Sequence, residues 1–289
     1  MPYPDEREIH LPGGIILNGG PNADGVEFTL ATLDGWGSPG GTGGGQQRSG
    51  AHGRTAPKQW LKPRVMTATG LIKAPTHLLR QQAEHQLEGV LGLDLFDLTV
   101  VDAIPLKVQA QRVGDMSRSD DTDLRTTWQA ELEAPDPRRY GVTPKSLLLS
   151  LPQSMGGNTW PGETWPETFL GSTVSGDGGA DNDGNITAPV TVRFTGPLVV
   201  PQLLNVTTGQ SVSYVATLAA GEFVDIYMTT PMVALLMGTA DRTGYVSTAG
   251  GGPWGLQGAV GEQTGQNHIA FRAASGTGTA LLQWSDTFQ

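Results

Sequence analysis

Residues 124–141, LRTTWQAELEAPDPRRYG, change from a regular alternation to a proline-rich stop near the middle of the chain. At the even positions from 124 to 134 every residue except Thr126 is apolar, and the odd positions between them are polar. A period of two is typical of a strand with one buried face. Pro135 and Pro137 then remove two backbone donors and disfavour helix in the residues before them, so the ladder cannot continue. The sequence therefore predicts a strand that ends at residue 134.

The length and composition fit a protein of two domains that is rich in strands and turns. The chain has 289 residues, which exceeds the usual size of one domain. Glycine and proline contribute 41 and 20 residues, more than average but too few for a disordered low-complexity chain. Because there is no cysteine, disulfides and thiolate metal ligands are excluded. Stability is expected to come from cores and subunit contacts.

The chain is acidic, with a formal net charge of −10 from 18 basic and 28 acidic residues. Non-specific DNA binding depends on Lys and Arg that neutralise phosphates. The charge therefore argues against tight DNA binding, although it suits a surface that DNA passes without sticking. The start, MPYPDEREIH, has no basic region followed by an apolar run, and no stretch approaches 18 apolar residues. We expect a soluble chain without a secretion signal.

The first half of the sequence predicts strands around a single helix. Pro75 and Thr76 begin the helix in residues 74–92, which carries apolar residues at roughly helical spacing and ends near Gly92. The run GDMSRSDDTD at 114–123 is interpreted as a turn. Strands are predicted at residues 8–17, 26–33, about 63–74, 95–101, 105–112 and 124–134.

The second half predicts a β-sandwich, because short apolar runs alternate with Gly, Pro, Asn and Asp and show no helical spacing. The runs lie at residues 187–196, 210–219, 222–230, 232–238, 266–274 and 278–286.

Two long regions do not show either pattern. Residues 34–60 are too glycine-rich to hold one conformation alone, so we expect them to be disordered or fixed by a partner. Residues 156–186 repeat Thr-Trp-Pro at 159 and 164 and are expected to be extended, because residues before proline avoid helix.

Glycine-rich and acidic motifs do not meet the requirements of ligand loops. GGTGGG at 40–45 lacks both the strand-to-helix context and the ending of a phosphate-binding loop. DGGADNDGN at 177–185 resembles a calcium loop only in part, since its first and twelfth ligand positions would be Gly179 and Val190. We interpret this acidic run as a solvated turn.

The histidines and serines do not form a catalytic pattern either. His77 and His85 lie about 12 Å apart along the predicted helix, too far to hold one metal ion, and the other histidines are isolated in the sequence. No G-x-S-x-G elbow is present. The sequence therefore predicts no enzyme, with no catalytic, cofactor-binding or metal site.

Tryptophans offer a possible sugar-binding surface. Trp160 and Trp165 could stack on sugar rings, but the favoured interpretation is that both pack the extended segment against a sheet, since buried indoles contribute large apolar area. The same packing role is predicted for Trp254 and Trp284.

Several motifs follow one another in a characteristic order. They are LATLDGWGSPG, a glycine-rich excursion, RVMTATGLIKAP before the helix, AELEAPDPRRYG, TWPGETWPETFLGS, VTVRFTGPLVVPQLLNVTTGQSVSYVATLAAGEFVDI and NHIAFRAASGTGTALLQWSDTF. This order covers nearly the whole chain and resembles the distal tail proteins, or minor tail proteins, of siphovirus-like bacteriophages with long non-contractile tails, especially those of actinobacterial hosts.

The resemblance implies a mainly β architecture in two domains. Residues 1–138 would form a split-barrel-like belt domain with one α-helix. Residues 139–289 would form a galectin-like β-sandwich, with an extended irregular segment at about 152–186.

The resemblance also implies a structural role in the virion, at the distal end of the phage tail. The belt domain would close a homohexameric ring that acts as an adaptor between the tail tube protein and the tail-tip hub or baseplate protein. The tape measure protein is a further candidate partner. DNA would pass through the ring without being tightly bound, and no membrane or cofactor would be involved.

The candidate interface residues are Trp36, Trp60, Arg138, Arg139 and Tyr140. Under the resemblance, APDPRRYG is the exit from the belt domain, where the two arginines can bond carboxylates or carbonyls of either domain or remain solvated. Trp36 and Trp60 are apolar anchors at the ends of the glycine-rich region.

Two other functions stay open. The first is a carbohydrate-binding module for attachment to the host surface, which a fold analogy cannot decide. The second is a tail-associated hydrolase, for which the sequence shows no catalytic constellation.

Overall fold

The computed structural model describes residues 7–56, 58–155, 172–174, 176–229, 231–251 and 254–289. These divide into two compact units, Met1–Val142 with Gln289 and Thr143–Phe288. Over the described residues the chain is mainly β with one α-helix, so the predicted fold class is confirmed. The assignment of a belt domain to 1–138 and of a galectin-like domain to 139–289 stays a prediction. Trp160 and Trp165 lie outside the described residues.

The first unit consists of antiparallel strands and helix α1 (His77–Val90). Its strands are β1 (Glu8–His10), β2 (Ile16–Leu17), β3 (Glu27–Asp34), β4 (Gly41–Thr42), β5 (Trp60–Leu61), β6 (Arg64–Lys73), β7 (Phe96–Val101), β8 (Leu106–Arg112), β9 (Ser117–Thr122), β10 (Arg125–Ala134) and β11 (Arg139–Gly141). The main sheet has the order β2-β1-β7-β8-β10-β6-β3, with β9 also beside β10 and β11 beside β8. A separate ladder pairs β4 with β5.

The pairing of β6 with β10 lies at the centre of this sheet. Every residue of β10 faces a residue of β6, from Arg125 opposite Lys73 to Ala134 opposite Arg64. The inward positions 126, 128, 130, 132 and 134 are all buried, which confirms the predicted strand and its one apolar face. Trp128 lies across from Gly70, where an added Cβ would be 2.7 Å from the indole ring. Glycine at this position leaves room for the tryptophan.

Asn18 links the two outer strands of the sheet. It follows β2, and its backbone N–H donates to the carbonyl oxygen of Phe28 in β3 at 2.8 Å. Its side-chain Oδ1 accepts a hydrogen bond from the backbone N–H of Leu30, also at 2.8 Å. The residue has a φ of +65°, a left-handed conformation that asparagine tolerates well. The sheet therefore curls until its edges meet, as strands do in a barrel.

Helix α1 begins and ends close to its predicted limits. Thr76 is the N-cap, and its Oγ1 accepts a hydrogen bond from the backbone N–H of Leu79 at 3.3 Å. The buried face of the helix combines apolar Ala83 and Leu87 with charged Arg80 and Glu84. This mixed face explains why the apolar spacing in the sequence was only approximate.

Two elements of the first unit differ from the sequence-based prediction. The single strand predicted at 8–17 is a pair of short strands, β1 and β2, in which Ile9 faces Leu17. Between them, Pro12–Gly14 form a 3-10 turn in which Gly13 has a φ of +71°, and this turn reverses the chain. The turn predicted at 114–123 contains β9, which pairs with β10. Because every side chain of β9 is exposed, its sequence has no apolar alternation.

The second unit contains two main antiparallel sheets. Its strands are β12 (Lys145–Ser150), β13 (Gln153–Met155), β14 (Ser172–Val174), β15 (Asp177–Asp181), β16 (Ala188–Thr195), β17 (Leu198–Val199), β18 (Gln202–Asn205), β19 (Gln210–Tyr214), β20 (Thr217–Leu218), β21 (Phe223–Tyr227), β22 (Val233–Leu236), β23 (Ala240–Asp241), β24 (Val246–Ala249), β25 (Gly255–Leu256), β26 (Gln266–Arg272), β27 (Ser275–Gly276), β28 (Thr279–Trp284) and β29 (Thr287–Phe288). A short 3-10 turn lies at Thr243–Tyr245.

The main sheets of this unit have the orders β12-β28-β16-β21-β22-β23 and β15-β26-β18-β19-β24. One apolar core joins them, with Phe194 from the first sheet and Phe271 from the second stacked at a centroid distance of 6.0 Å. The predicted β-sandwich is therefore confirmed. Trp254 and Trp284 are buried, and their Nε1 atoms donate to the backbone carbonyl oxygens of Gln210 and Asp181. Both tryptophans pack the sandwich, as predicted.

The interpretation of residues 177–185 as a solvated turn is wrong. Residues 177–181 form β15, which pairs with β26. Asn182 follows it with a fully buried side chain. Its Oδ1 accepts hydrogen bonds from the backbone N–H groups of Gly184 and Thr287, and its Nδ2 donates to the carbonyl oxygens of Ile186 and Leu256. The polar sequence hid a buried residue because all of these partners are backbone groups.

Candidate assembly surface

Arg64, a residue that the sequence analysis did not single out, lies at the centre of the candidate site in the first unit. Its side chain is fully buried at the start of β6. Nη1 donates to the carbonyl oxygen of Trp36 at 2.6 Å and also to that of Gly37. Nε and Nη2 both donate to the carbonyl oxygen of Pro137, at 3.1 and 2.7 Å. Arg64 therefore ties the start of the glycine-rich region to the segment after β10.

The sequence did contain a signal for Arg64. In RVMTATGLIK the residues two apart from position 64 are Met66, Ala68, Gly70 and Ile72, which are the inward positions of β6. A strand of period two places Arg64 on that same buried face. An arginine at an inward position needs buried partners, but the pattern cannot say which groups supply them.

Two guanidinium groups lie near the indole ring of Trp36. The carbon Cζ of Arg64 is 5.7 Å from the centre of the indole ring, and that of Arg139 is 5.6 Å away. Cations at this range are attracted to the face of the ring. Arg139 also donates from Nη2 to the backbone carbonyl oxygen of Gln289. Two of the predicted interface residues, Trp36 and Arg139, thus contact each other inside the first unit.

The two guanidinium groups around Trp36 affect each other. Burial, and then the nearby positive charge of Arg139, lowers the pKa of Arg64 to about 10. Burial lowers the pKa of Arg139 as well. Both groups stay protonated at neutral pH, so the region around Trp36 carries two positive charges. The carbonyl oxygens bound by Arg64 stabilise its charge through their dipoles.

Arg138 and Tyr140 meet at a single carboxylate, that of Asp136. Arg138 binds it with two hydrogen bonds, from Nε at 2.8 Å and from Nη2 at 2.7 Å. The hydroxyl of Tyr140 donates to the same carboxylate at 2.6 Å. The alternative that both arginines are merely solvated therefore does not hold. The hypothesis that they join the two predicted domains stays a prediction.

This carboxylate and the phenol have shifted pKa values. Burial alone would raise the pKa of Asp136, but the hydrogen bonds from Arg138 and Tyr140 outweigh it and lower that pKa. Burial, followed by the negative charge of Asp136, raises the pKa of Tyr140 above its ordinary range. Asp136 is therefore ionised and Tyr140 neutral over the physiological range of pH.

Trp60 lies apart from this cluster and is exposed. It faces Thr42 across the β4–β5 ladder, and the Nζ of Lys58 lies 4.3 Å from the centre of its indole ring. Beyond this ladder Gln47 and Arg54 form an isolated β-bridge. We call residues 35–63 the strap. It is a narrow antiparallel excursion from the sheet, and its predicted mobility in the free subunit stays a prediction.

The strap leaves the sheet at a tight backbone contact. Gly35, the residue after β3, has a φ of +84°, and an added Cβ there would be 2.1 Å from the carbonyl oxygen of Val65. Glycine at this position lets the chain turn against the start of β6. The position of the strap therefore depends on both Gly35 and the buried Arg64.

A buried polar network fixes helix α1 to the sheet. Arg80 donates from Nη1 to Glu84 at 2.6 Å, to Asp120 at 2.5 Å and to the hydroxyl of Thr126. Thr126 Oγ1 lies 2.5 Å from Oε1 of Glu84. Hydrogen bonds from Arg80, and then from Thr126, lower the pKa of Asp120. Thr126, the one polar exception in the β10 alternation, is thus a member of this network.

The second unit has an open polar depression of about 520 Å³ on the sheet that contains β15 and β26. The lining residues are Gly179, Asp181, Thr207, Thr264, Gln266, Asn267 and His268. Within the part of the chain that the structure describes, no three His, Asp or Glu side chains are arranged to hold a metal ion. Over the same residues, no helix is long and apolar enough to cross a membrane.

Comparison with known proteins finds similarity of fold. No protein-family model and no curated protein matches the sequence. The crystal structure of the Dit protein of phage SPP1, described as a paradigm of the hub adsorption apparatus of phages that infect Gram-positive bacteria, matches with a TM-score of 0.61 and 12% identity. That match covers 98% of this chain and 99% of the other. A chain of the phage P2 baseplate, in its activated conformation with Ca, matches with a TM-score of 0.50 and 9% identity over 96% and 97% of the two chains.

Proposed function

We propose that this protein is a structural component of a phage tail tip, located at the distal end of the tail in the virion. The observation that carries the proposal is the likeness to SPP1 Dit, which extends over 98% of this chain and 99% of that one. A match confined to the sandwich would be weak support, since sandwiches serve many functions. This match spans both units. It points to a phage tail-tip protein, as does the resemblance in the order of motifs.

We further infer a ring adaptor of the distal tail protein type, as in siphovirus-like actinobacteriophages. Six copies would form the ring through a belt domain at residues 1–138 and carry a galectin-like sandwich at residues 139–289. The tail tube protein and the hub or baseplate protein are its proposed neighbours, with the tape measure protein as a further partner. The order of motifs and the barrel-like curl of the first unit's sheet support this assignment.

The role that we propose requires no catalysis and no cofactor, but it does require that DNA pass freely. A formal net charge of −10 leaves few phosphates that the protein could neutralise. Weak, salt-sensitive binding is the most that such a surface allows. A wall with little attraction for DNA would not slow its ejection.

Native mass spectrometry over a range of concentrations, together with images of tail tips, tests the ring. We expect six copies around an opening wide enough for duplex DNA. A stable monomer in the virion, or a three-fold ring of this chain, would contradict the ring. Submicromolar binding of duplex DNA at physiological salt would contradict the proposed channel wall.

Glycan binding by the second unit is the second candidate function, and the polar depression is the observation that favours it. Asp181, Gln266 and His268 surround Gly179, where an added Cβ would meet no atom within 4 Å. A glycan array on the full chain, repeated with D181A/H268A, tests this candidate. Binding that disappears in the double variant supports it, and no binding above background by the unchanged chain contradicts it.

A further inference from the structure

Positive charge is concentrated in the strap. Residues 35–63 contain four basic residues, Arg48, Arg54, Lys58 and Lys62, and no acidic residue. The remainder of the chain has 14 basic residues against 28 acidic ones. All four basic side chains are exposed. The strap is therefore a basic projection from an acidic protein.

The opposite end of the β6–β10 pair carries exposed acidic groups. The strap adjoins the start of β6, where Arg64 faces Ala134, while the other end of the pair brings Lys73 opposite Arg125. Ten residues of strand span about 30 Å. The end of β9 and the turn that follows it lie at this far end, where they expose Asp121 and Asp123. Lys73 at this end is paired with Glu27 at 3.6 Å, and Arg125 is exposed here as well, so the two carboxylates outnumber one further basic group.

Each end also exposes large apolar side chains. Trp60 and Val65, at the base of the strap, are 62% and 49% exposed. Leu78 and Leu124, at the far end, are 63% and 41% exposed. The start of α1 lies beside the β9–β10 turn there, since the N–H of Ala74 donates to the carbonyl oxygen of Leu124 at 3.0 Å.

We name the two surfaces by their charge. The basic end consists of Lys58, Trp60, Lys62 and Val65. The acidic end consists of Leu78, Asp121, Asp123 and Leu124.

We propose that the basic end of one copy binds the acidic end of a second copy, head to tail. A contact between two different surfaces of the same chain is heterologous, and such contacts close into a ring when the rotation between copies allows it. Pairing the basic end with itself would bring like charges together, which is unfavourable. The proposal rests on the proposed ring and assigns the surfaces that would form its subunit contact.

The apolar side chains give this contact its central anchor. Trp60, flanked by Lys58 and Lys62, is the type of aromatic residue that contributes most to protein interfaces when a partner covers it. Leu78 and Leu124 offer apolar area for it, flanked by carboxylates that complement the lysines. DNA phosphates could also attract the strap, but they would leave Trp60 and Val65 without apolar partners, and the acidic remainder of the chain would repel them.

Charge reversal at each end, in the full-length chain, tests the proposal. We expect K58E/K62E and D121K/D123K each to weaken self-association by about tenfold or more in analytical ultracentrifugation. An equal mixture of the two variants should associate to within about threefold of the wild type, because each reversed end then meets its complement. Thermal unfolding of each variant checks that the fold is kept.

The matched control for D121K/D123K is D97K/E262K, which makes the same change in net charge as that variant at two exposed carboxylates elsewhere on the chain. It should associate like the wild type and should not restore K58E/K62E. A mixture of the two reversed ends that fails to recover, while both variants stay folded, overturns the proposal. So does a K58E/K62E variant that loses DNA binding but associates normally.

Cross-linking in assembled tails provides a second measurement if the free protein does not associate. A photo-reactive amino acid at position 60 should form adducts with residues near 78 and 124 of another copy. Adducts confined to a different protein or to DNA overturn the assigned contact. If images show a six-fold ring but the adducts are confined to a different protein or to DNA, the proposed ring stands and only this contact is refuted. Failure of the contact can therefore be told apart from failure of the ring.

Discussion

Arg64 donates two hydrogen bonds, from Nε and Nη2, to the carbonyl oxygen of Pro137, at 3.1 and 2.7 Å. The two residues lie close in space because Arg64 pairs with Ala134, the last residue of β10. Beyond residue 134 the prolines cannot donate to a strand ladder. The carbonyl oxygen of Pro137 still needs a donor, and the buried guanidinium supplies it.

Replacing Arg64 with methionine should destabilise the first unit by about 3 kcal/mol or more. Methionine keeps much of the side-chain length, but it leaves the carbonyl oxygens of Trp36 and Pro137 without donors in a buried site. Chemical denaturation measures the loss. Arg48→Met, at an exposed position of the strap, is the control and should change stability by about 0.5 kcal/mol or less. A loss below about 1 kcal/mol for the Arg64 variant would show that water replaces the guanidinium.

Tyr140, whose pKa is raised by burial and by Asp136, should contribute a loss of stability at alkaline pH, which the lowered pKa of Arg64 opposes. A tyrosine in the unfolded chain ionises near pH 10. Above that pH the unfolded chain has lost a proton that the folded chain keeps, so the free energy of unfolding decreases by about 1.4 kcal/mol per pH unit for this group. Relative to the wild type, Tyr140→Phe should make the slope of the free energy of unfolding against pH less negative between about pH 10 and about pH 11, measured by urea denaturation. An unchanged slope in the variant would assign the effect to other tyrosines, such as Tyr214.

Thr126→Val should cost about 1–2 kcal/mol, because it removes a buried hydroxyl that bonds to Arg80 and Glu84 without changing the shape of the side chain. The cost should stay moderate, since Arg80 and Glu84 still bond directly at 2.6 Å. Thr127→Val is the control on the exposed face of the same strand and should have an effect of about 0.5 kcal/mol or less. Equal losses from the two variants, measured in urea, would contradict a special role for the buried network.

The double variant R138A/R139A should keep both thermal transitions, because each unit has its own apolar core. The ion pair between Arg138 and Asp136 is partly exposed, and such pairs contribute about 1 kcal/mol or less. If the arginines also restrain the joint between the predicted domains, small-angle scattering should show a broader range of shapes than for the wild type. Loss of one transition would instead show that the arginines are essential to a single core.

The strap should be cut by trypsin in the free subunit and protected in the virion. Arg48, Arg54 and Lys58 are exposed cleavage sites, and the glycine-rich sequence around them resists ordering by itself. A neighbouring copy would order the strap and cover these sites. Mass spectrometry of the fragments identifies the cleaved bonds. Equal cleavage in free subunits and in virions would count against the strap as an assembly element.

The sequence alone determined the features that depend on local patterns. Alternation in residues 124–134 indicates a strand with one buried face, and the prolines that follow indicate where it ends. The burial pattern of a strand and the missing N–H donors of proline both act over a few residues. The start signals at Pro75 and Thr76 identify the helix in the same way. Short apolar runs separated by turn residues were enough to predict the sandwich of the second unit, and the packing of Trp254 and Trp284 with it.

Tertiary structure decided where the buried polar groups find their partners. Arg64 bonds to a carbonyl 73 residues away, and Thr126 bonds to side chains of Arg80 and Glu84 that are 46 and 42 residues away. Asn182 looked solvated because its neighbours are polar, yet it is buried among backbone groups brought to it by other strands. A local pattern records which face of an element is apolar. Desolvation of a polar group, however, is compensated only by partners at the right distance and angle, and the folded chain alone sets that geometry.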